Sequence, residues 1–381
     1  MIKDDSLCRN MVPNLYNRFN SGTIFHWITL LTLPEISLKF CMTKRSVDRR
    51  RIIKYDLSMN TITDSDKILL IHLGGLGDMC LSESTFLSLS RHFKGNIEAL
   101  GYTRFLNLFD RYFAKIHRIE SIKWLHLFSN HRPDIIYKRI IFIGKDRRRN
   151  LRQRWQGFSR EPLIFIEMYP ENQLMAHGSR QNQSGDNRLM AHGSWQKDKE
   201  PQPSAISSEL SAASCQPEAA VCHVEDYQLA QLAQYGIKAI KKEIKPKPLC
   251  RTILYPEKGF QKKKWPVENF IELYNSLKSK DINVCILESL GMNIDIKDKI
   301  SFQELSDIKE FFQVGGIFVS NDSGMAHLAG MCGLFSVTIF VDFNPIVWHP
   351  RGRFLTFGQD TALTDISVIE AKIIELMAQD L

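Results

Sequence analysis

Short apolar segments alternate with helical patterns along most of this chain, and this alternation limits its fold more than any other feature. The segment KILLIHL, Lys67–Leu73, is a continuous apolar run of the kind that forms a strand covered on both faces. Leu and Phe residues at helical spacing follow it, which predicts a helix from about Asp78 to His92. Repeated units of this kind predict an α/β fold with parallel sheets.

The same patterns predict further strands and helices along the chain. The predicted strands are NIEALGY, RIIFIGK (Arg139–Lys145), PLIFIEMY (Pro162–Tyr169), RTILYP, INVCILE, GIFVSND and SVTIFV. The predicted helices are Val224–Ile237, ended by Gly236, then Val267–Ser279, SFQELSDIKEFFQ, MAHLAGMCG and Asp365–Ala378. This order predicts two doubly wound domains of similar size that face each other across a cleft.

The length and the local composition predict where these domains begin and end. A chain of 381 residues exceeds what one hydrophobic core usually serves. We expect a basic extension at residues 1–65, an N-terminal domain at 66–244 and a C-terminal domain at 250–381 whose last helix spans 365–378. The segment KPKPLC, Lys245–Cys250, has the composition of a linker between the two domains.

A polar region interrupts the predicted N-terminal domain. From about Glu171 to Ala219 the chain is rich in Gln, Ser, Asn and Pro, and LMAHGS occurs in it twice. Two copies are fewer than a solenoid needs, so we interpret residues 171–219 as an inserted, mostly disordered loop.

The charge of the chain points to anionic partners. The formal net charge is +8, which favours a nucleotide, a phosphorylated lipid or sugar, a membrane surface or a nucleic acid. No apolar run approaches the roughly 18 residues that a membrane-spanning helix needs, so we expect a cytoplasmic protein. The basic segment Lys44–Lys54 follows the short apolar run Ile24–Leu33, a pattern that suits either an anionic membrane surface or a solvated extension.

A glycine-rich loop that ends in an acid follows the first predicted strand. Gly74, Gly75 and Gly77 precede Asp78, so backbone N–H groups and a helix N-terminus are expected at the carboxyl edge of the sheet. The spacing fits neither the dinucleotide fingerprint nor a Walker loop. An acid here is suited to hold or deprotonate a hydroxyl group, and the alternative is that Asp78 only caps the helix.

The segment FVSNDSGMAHLAG, Phe318–Gly330, repeats this arrangement in the second half of the chain. Asn321, Asp322 and Ser323 follow a predicted strand as capping residues, and Gly324 opens a helix. His327 lies four residues after Ser323, so both are expected on one side near the helix start. Backbone N–H groups and the imidazole could bind a phosphate there. A carboxylate repels a diphosphate, so Asp322 is expected to bind sugar hydroxyls or to cap the helix.

A third stretch, KKKWP at Lys262–Pro266, places three cations before a predicted helix. Lysine is a compact charge that suits a leaving diphosphate. The alternative is a solvated charged face. The eight cysteines show no metal-ligand spacing, and no metal site is expected.

Together these stretches resemble glycosyltransferase family 9, the heptosyltransferases of lipopolysaccharide core assembly, which have the GT-B fold of two Rossmann-like domains. The likeness runs over roughly Lys67–Leu381 apart from the insertion, and HVEDYQLAQLAQYGI is similar to a helix of that family. The resemblance implies that Asp78 is the catalytic base and that Lys263 binds the donor phosphate. It also implies that the nucleotide sugar is contacted by Asp322, Ser323, Gly324 and His327.

The chain departs from this family in two loops and two segments. CILESLGMN contains Glu288 but is shorter than the glycine-rich turn with which the family binds the ribose. VDFNPIVWHP stands where the family has a GPTDP-like loop. These changes affect the binding of the base and the sugar. The basic extension and the duplicated insertion have no counterpart in the family pattern.

The resemblance implies an inverting, metal-independent glycosyl transfer. The donor is a nucleotide-diphosphate sugar such as ADP-heptose, with no further cofactor, and the acceptor is a lipopolysaccharide core or another lipid-linked glycan. The only D-x-D pair, Asp64 and Asp66, is expected to lie before the first strand and to bind no metal. The enzyme would act in the cytoplasm, at the inner face of the membrane.

Two other classes of function stay open. A catalytically idle protein that binds sugar nucleotides would keep the motif of the second half. A basic nucleic-acid-binding protein would use Lys44–Lys54 and Arg147–Arg154, although these patches lack interleaved aromatic residues, so no nucleic-acid partner is expected.

Overall fold

The computed structural model describes residues 63–129, 135–146, 150–169, 221–257, 264–289, 291–341, 343–358 and 365–379. They form two compact units. Of the described residues, the first unit holds 63–75 and 96–165, and the second holds 76–95 and those from 166 onward. Residues 1–62 and the predicted insertion at 171–219 lie outside the described residues. The domain boundaries expected from the sequence stay predictions.

The first sheet has five strands in the order β3-β2-β1-β4-β5, and all of its residues except Ile166 and Glu167 of β5 belong to the first unit. The strands are β1 (Thr63–His72), β2 (Ile97–Gly101), β3 (Lys115–Arg118), β4 (Ile135–Gly144) and β5 (Ile164–Glu167). β1 is parallel to both β2 and β4, with Leu70 opposite Ala99 on one side and Ile141 on the other. This central strand is buried on both faces, which explains its continuous apolar sequence.

The second unit is built on a sheet of six strands in the order β11-β10-β9-β6-β7-β8, all parallel. The strands are β6 (Thr252–Tyr255), β7 (Val284–Leu287), β8 (Lys299–Ile300), β9 (Ile317–Asn321), β10 (Phe335–Ile339) and β11 (Phe354–Phe357). The strand order reverses direction between β6 and β9. In folds of this kind, ligands bind outside the carboxyl ends of the strands at such a reversal.

Ten α-helices are present in the described part of the chain. They are α1 (Leu76–Leu81), α2 (Glu83–His92), α3 (Thr103–Leu106), α4 (Leu151–Gln156), α5 (Val224–Leu232), α6 (Val267–Ser279), α7 (Leu305–Phe312), α8 (Gly324–Met331), α9 (Pro345–Trp348) and α10 (Ile366–Ala378). Short 3-10 helices span Asn107–Tyr112, Ile122–Leu127 and Ala233–Tyr235.

Two predictions about local structure are wrong. The helix predicted at Asp78–His92 is two helices, because the chain leaves helical geometry at Ser82, whose hydroxyl donates to the Asp78 carbonyl at 2.8 Å. Asp64 and Asp66 do not precede the first strand, since β1 already begins at Thr63. The Asp66 carboxylate lies 2.8 Å from the guanidinium of Arg160.

Each sheet has its own apolar core. In the first unit, Leu69, Ile71 and Phe142 pack with Trp155, whose indole N–H donates to the Leu127 carbonyl at 2.7 Å. In the second unit, Trp265 and Phe270 pack against the strands from one side. None of the helices in the described ranges has the length and hydropathy to cross a membrane.

Candidate functional site

Helices α1 and α8 meet at their N-terminal ends, within the second unit. A Cβ atom at Gly77 would lie 2.8 Å from Cδ2 of His327, and one at Gly324 would lie 3.0 Å from the Leu76 Cβ. A side chain at Gly77 would therefore force the imidazole or the helix to move, and one at Gly324 would make a tight contact with Leu76. Asp78 follows Gly77 in the first turn of α1 and is partly buried. The structure thus brings the segment that carries Asp78 against the segment that carries Gly324 and His327.

This contact gives the third glycine of the loop a physical role. The group next to Gly77 is the imidazole of His327, and the missing side chain of Gly77 leaves room for it. Gly74 and Gly75 belong to the first unit, where the Gly74 N–H donates to Nδ1 of His72 at 3.1 Å.

The N-terminus of α8 is capped by Ser323. Its hydroxyl oxygen accepts a hydrogen bond from the Ala326 N–H at 3.3 Å. The first amides of a helix have no partner within the helix, and together with the helix dipole they favour an anion. The position after β9 at the strand reversal, with this helix start, is suited to a phosphate group.

Asp322 lies directly before this cap and is largely buried. Burial, and then the neighbouring Glu257 carboxylate, raise the pKa of Asp322 to about 7, against the opposing effect of Lys264. At neutral pH the Asp322 side chain therefore populates both its neutral and its charged form. A neutral carboxyl group removes much of the repulsion that a carboxylate would exert on a diphosphate.

His327 is a buried neutral imidazole. Burial, and then the proximity of His349, lower the pKa of His327 to about 3. Its Nε2 lies 3.8 Å from Oδ1 of Asp322, which is too long for a hydrogen bond. Its Nδ1 has no hydrogen-bond partner among the residues that the structure describes. A buried ring nitrogen in this position is available to a ligand.

The lysine-rich stretch is partly described. Lys263 lies outside the described residues, whereas the Nζ of Lys264 lies 3.2 Å from the Glu257 carboxylate. The Asn321 side chain accepts from the Trp265 N–H at 2.9 Å and donates to the Trp265 carbonyl at 3.3 Å. Asn321 thus fixes the residues that follow Lys263 at the end of β9.

Glu288 lies at the end of β7 and is engaged with its own loop. Its carboxylate accepts from the Ile294 N–H at 2.7 Å and lies 3.7 Å from Nζ of Lys299. In the altered GPTDP-like loop, Asp342 is outside the described residues, and the Asn344 side chain caps α9 by accepting from the Ile346 N–H at 3.0 Å.

The sequence did not predict the structural contacts of three residues at or near this site. Asn321 was interpreted only as a capping residue, and Glu257 was not considered. Arg351, whose guanidinium donates to the Glu83 carboxylate at 2.7 Å, had no motif around it. A polar residue at the end of a strand, before a helix cap, is the one signal that could have marked Asn321. The contacts of Glu257 and Arg351 depend on tertiary structure alone.

Two parallel sheets, each with its strands in doubly wound order, give this chain the GT-B fold of the glycosyltransferases that it resembles in structure. The family model of glycosyltransferase family 9 (heptosyltransferase) matches residues 172–357. The resemblance to this family that the motifs predicted is confirmed, and the chain is heptosyltransferase-like. No curated protein sequence matches the chain.

Solved structures support the same fold. Heptosyltransferase II of E. coli superposes with a TM-score of 0.52 at 14% identity, over 82% of this chain and 99% of that one. E. coli heptosyltransferase WaaC with ADP gives 0.51 at 13% identity, over 81% and 99%. A family 9 glycosyltransferase from Veillonella parvula gives 0.50 at 12% identity, over 84% and 98%. Identities this low establish the fold, and the predicted roles of the site residues stay predictions.

The described residues contain no group of three or more His, Cys, Asp or Glu side chains that could hold a metal ion.

Proposed function

We propose that this chain transfers a heptose-like sugar, with inversion, from a nucleotide-diphosphate sugar to a lipopolysaccharide core or another glycan acceptor. The observation that carries the proposal is the contact of Gly77 with His327, because it sets the acid-bearing turn of α1 beside the N-terminus of α8. ADP-heptose is the donor to test first, since heptosyltransferase II is described by that donor and WaaC was solved with ADP.

Asp78 is the proposed catalytic base. It accepts the proton of an acceptor hydroxyl as that oxygen forms a bond to the anomeric carbon. The bond from this carbon to the phosphate oxygen breaks, and the transition state is oxocarbenium-like, as in glycoside hydrolysis. The position of Asp78 in the first turn of α1, next to Gly77, supports this role.

The leaving nucleoside diphosphate is the proposed ligand of the α8 N-terminus. The amides at Gly324 and the side chain of Lys263 would stabilise its growing negative charge, and His327 would donate a hydrogen bond from its neutral ring. Asp322 and Glu288 would contact hydroxyl groups of the donor. Charge stabilisation by these groups supports the proposal of a metal-independent reaction.

A lipid-linked acceptor places the proposed reaction at the inner face of the cytoplasmic membrane. The support is the basic segment Lys44–Lys54, which lies outside the described residues. Cosedimentation with anionic vesicles tests this part. We expect binding that falls as salt concentration rises.

Nucleotide binding is the first test of the proposed function. Thermal unfolding is measured with ADP, UDP and GDP at equal concentrations. We expect ADP to raise the unfolding temperature most, because ADP is the nucleotide part of the proposed donor. A ligand at one hundred times its Kd stabilises the folded state by about 2.7 kcal/mol. If none of the three stabilises the chain, the proposed donor class is wrong.

Turnover is the second test. Release of ADP from ADP-heptose is followed with a heptose-free lipopolysaccharide core as acceptor, with and without EDTA. We expect acceptor-dependent release that EDTA leaves unchanged. ADP binding without any turnover would favour an idle sugar-nucleotide-binding protein, and loss of turnover in EDTA would overturn the metal-independent reaction.

A further inference from the structure

Arg351 is a buried cation that joins three segments of the second unit, and the family motifs do not include it. It follows α9 and is 3% exposed. Its Nη1 donates to the Cys80 carbonyl at 3.2 Å and to the Glu83 carboxylate at 2.7 Å. Its Nη2 donates to the Ser84 hydroxyl at 3.2 Å and to the Lys242 carbonyl at 3.0 Å. One guanidinium therefore reaches the end of α1, the start of α2 and the segment after α5.

Two buried carboxylates balance this cation. Glu83 on α2 is 1% exposed and Glu225 on α5 is 3% exposed. Nε of Arg351 lies 2.7 Å from the Glu225 carboxylate, and Lys241 lies 3.8 Å from the same group. The Ser84 hydroxyl also donates to Glu225. Buried charges of this kind persist only when each has partners, so the cluster depends on Arg351.

The backbone around Arg351 packs against α8. A Cβ atom at Gly330 would overlap the Arg351 carbonyl and would lie 3.0 Å from Cβ of Pro350. Only glycine allows this approach. The same loop is held on its other side by a hydrogen bond of 2.9 Å between Nε2 of His223 and the His349 carbonyl.

Arg351 thus contacts both helices of the candidate site, α8 through its backbone and α1 through its side chain. α1 has six residues, too few to be stable without tertiary contacts. The Cys80 carbonyl lies in its last turn, where carbonyl groups lack partners within the helix and a cation is favourable.

We propose that Arg351 is a positioning residue for glycosyl transfer, which holds the turn of α1 that carries Asp78 in register with the N-terminus of α8. This inference rests on the proposed function for its catalytic consequence. The anchoring of α1 can be measured independently of any activity.

Hydrogen exchange of the full chain tests the anchoring. The variant Arg351→Met keeps the length of the side chain and removes its donors. Arg353→Met is the matched control, because Arg353 lies in the same loop but donates to the Lys247 carbonyl and faces the Phe335 ring. We expect amides of α1 to exchange at least about tenfold faster in Arg351→Met than in wild type, while amides of β9 exchange at the wild-type rate. In Arg353→Met we expect wild-type exchange in both α1 and β9.

Unchanged exchange in α1, or an equal increase in both variants, would overturn the proposal. If Arg351→Met raises exchange throughout the second unit, the variant Glu83→Gln becomes the deciding test, since it removes one negative charge that pairs with the guanidinium and keeps the shape of the side chain. We then expect faster exchange confined to α1 and α2, and no local change would overturn the anchoring role.

Steady-state kinetics test the catalytic consequence. We expect Arg351→Met to lower kcat at least about tenfold while KM for the sugar nucleotide stays within about twofold, because the α8 N-terminus is retained. An equal loss in Arg353→Met, or a rise in KM alone, would overturn the positioning role. Absence of turnover in the wild-type chain would refute the proposed function, and the exchange result would still decide whether Arg351 anchors α1.

Discussion

At the residue scale, the candidate site contains a carboxyl group that burial keeps partly protonated at neutral pH and an imidazole that burial keeps neutral. The pKa of Asp322 is raised to about 7 and that of His327 is lowered to about 3, in both cases mainly by loss of water. Such groups donate hydrogen bonds without adding a charge. The sequence identified both residues, whereas their protonation depends on Glu257, Lys264 and His349, which come from other elements.

The raised pKa of Asp322 predicts a pH-dependent cost in stability. Its pKa in the folded chain lies above the ordinary value of 3.8, so the folded state holds the proton more tightly than the unfolded state. The stability from this group is fully present below the unfolded pKa and is lost as pH rises through about 7. We therefore expect Asp322→Asn to stabilise the chain relative to wild type, most of all above pH 7.

Urea unfolding at pH 5 and pH 8 measures this difference. The control is Asp295→Asn, which makes the same replacement at an exposed position. A stability difference between wild type and Asp322→Asn that does not grow with pH would contradict the account.

The contact between Gly77 and His327 predicts that even one methyl group is costly. In Gly77→Ala the new Cβ would lie 2.8 Å from the imidazole, so α1 or the ring must move. We expect a loss of about 1–3 kcal/mol, as for overpacked cores. Gly358→Ala is the control, since no atom of the described residues, its chain neighbours aside, lies within 4 Å of its Cβ position.

Urea unfolding midpoints at a constant m-value measure both alanine variants. A Gly77→Ala chain as stable as Gly358→Ala would mean that α1 and α8 do not meet as described.

At the element scale, the strands and long amphipathic helices could be predicted from the sequence. α6 spans Val267–Ser279 as predicted, because Pro266 marks its start and its apolar residues follow a helical period. The break at Ser82 could not, since it depends on a hydroxyl bonding within its own turn. β3 and β11 were missed because each has only four residues and lies at a sheet edge, where little of the strand is buried.

The link between β9 and the start of α6 depends on one buried side chain. Asn321 is 2% exposed and bonds both backbone groups of Trp265. Asn321→Ala leaves a buried N–H without its acceptor, and we expect a loss of about 2–3 kcal/mol. Asn293→Ala, at an exposed position, should stay within about 0.5 kcal/mol of wild type.

Chemical unfolding of the two asparagine variants measures these losses. Equal stability of both would show that Asn321 does not hold the segment after Lys263.

At the scale of the whole molecule, the chain builds the same doubly wound sheet twice. The orders β3-β2-β1-β4-β5 and β11-β10-β9-β6-β7-β8 both place the first strand of the series beside the fourth. This repetition could be predicted from the alternation of strands and helices, and the family motifs predicted that Asp78 and Gly324 belong to one site. The contacts of Arg351 could not be predicted, because its guanidinium bonds Glu83, which lies 268 positions earlier in the chain.

The proposed glycosyl transfer requires that Asp78 takes the proton of the acceptor while the α8 N-terminus binds the nucleotide. The most direct measurement is kcat and the Kd for ADP in Asp78→Asn, with Asp110→Asn, an exposed acid of the first unit, as the control. We expect Asp78→Asn to lower kcat by about 10²–10⁴ and to leave the Kd for ADP within about threefold, with no change in the control. Wild-type turnover in Asp78→Asn would contradict the account.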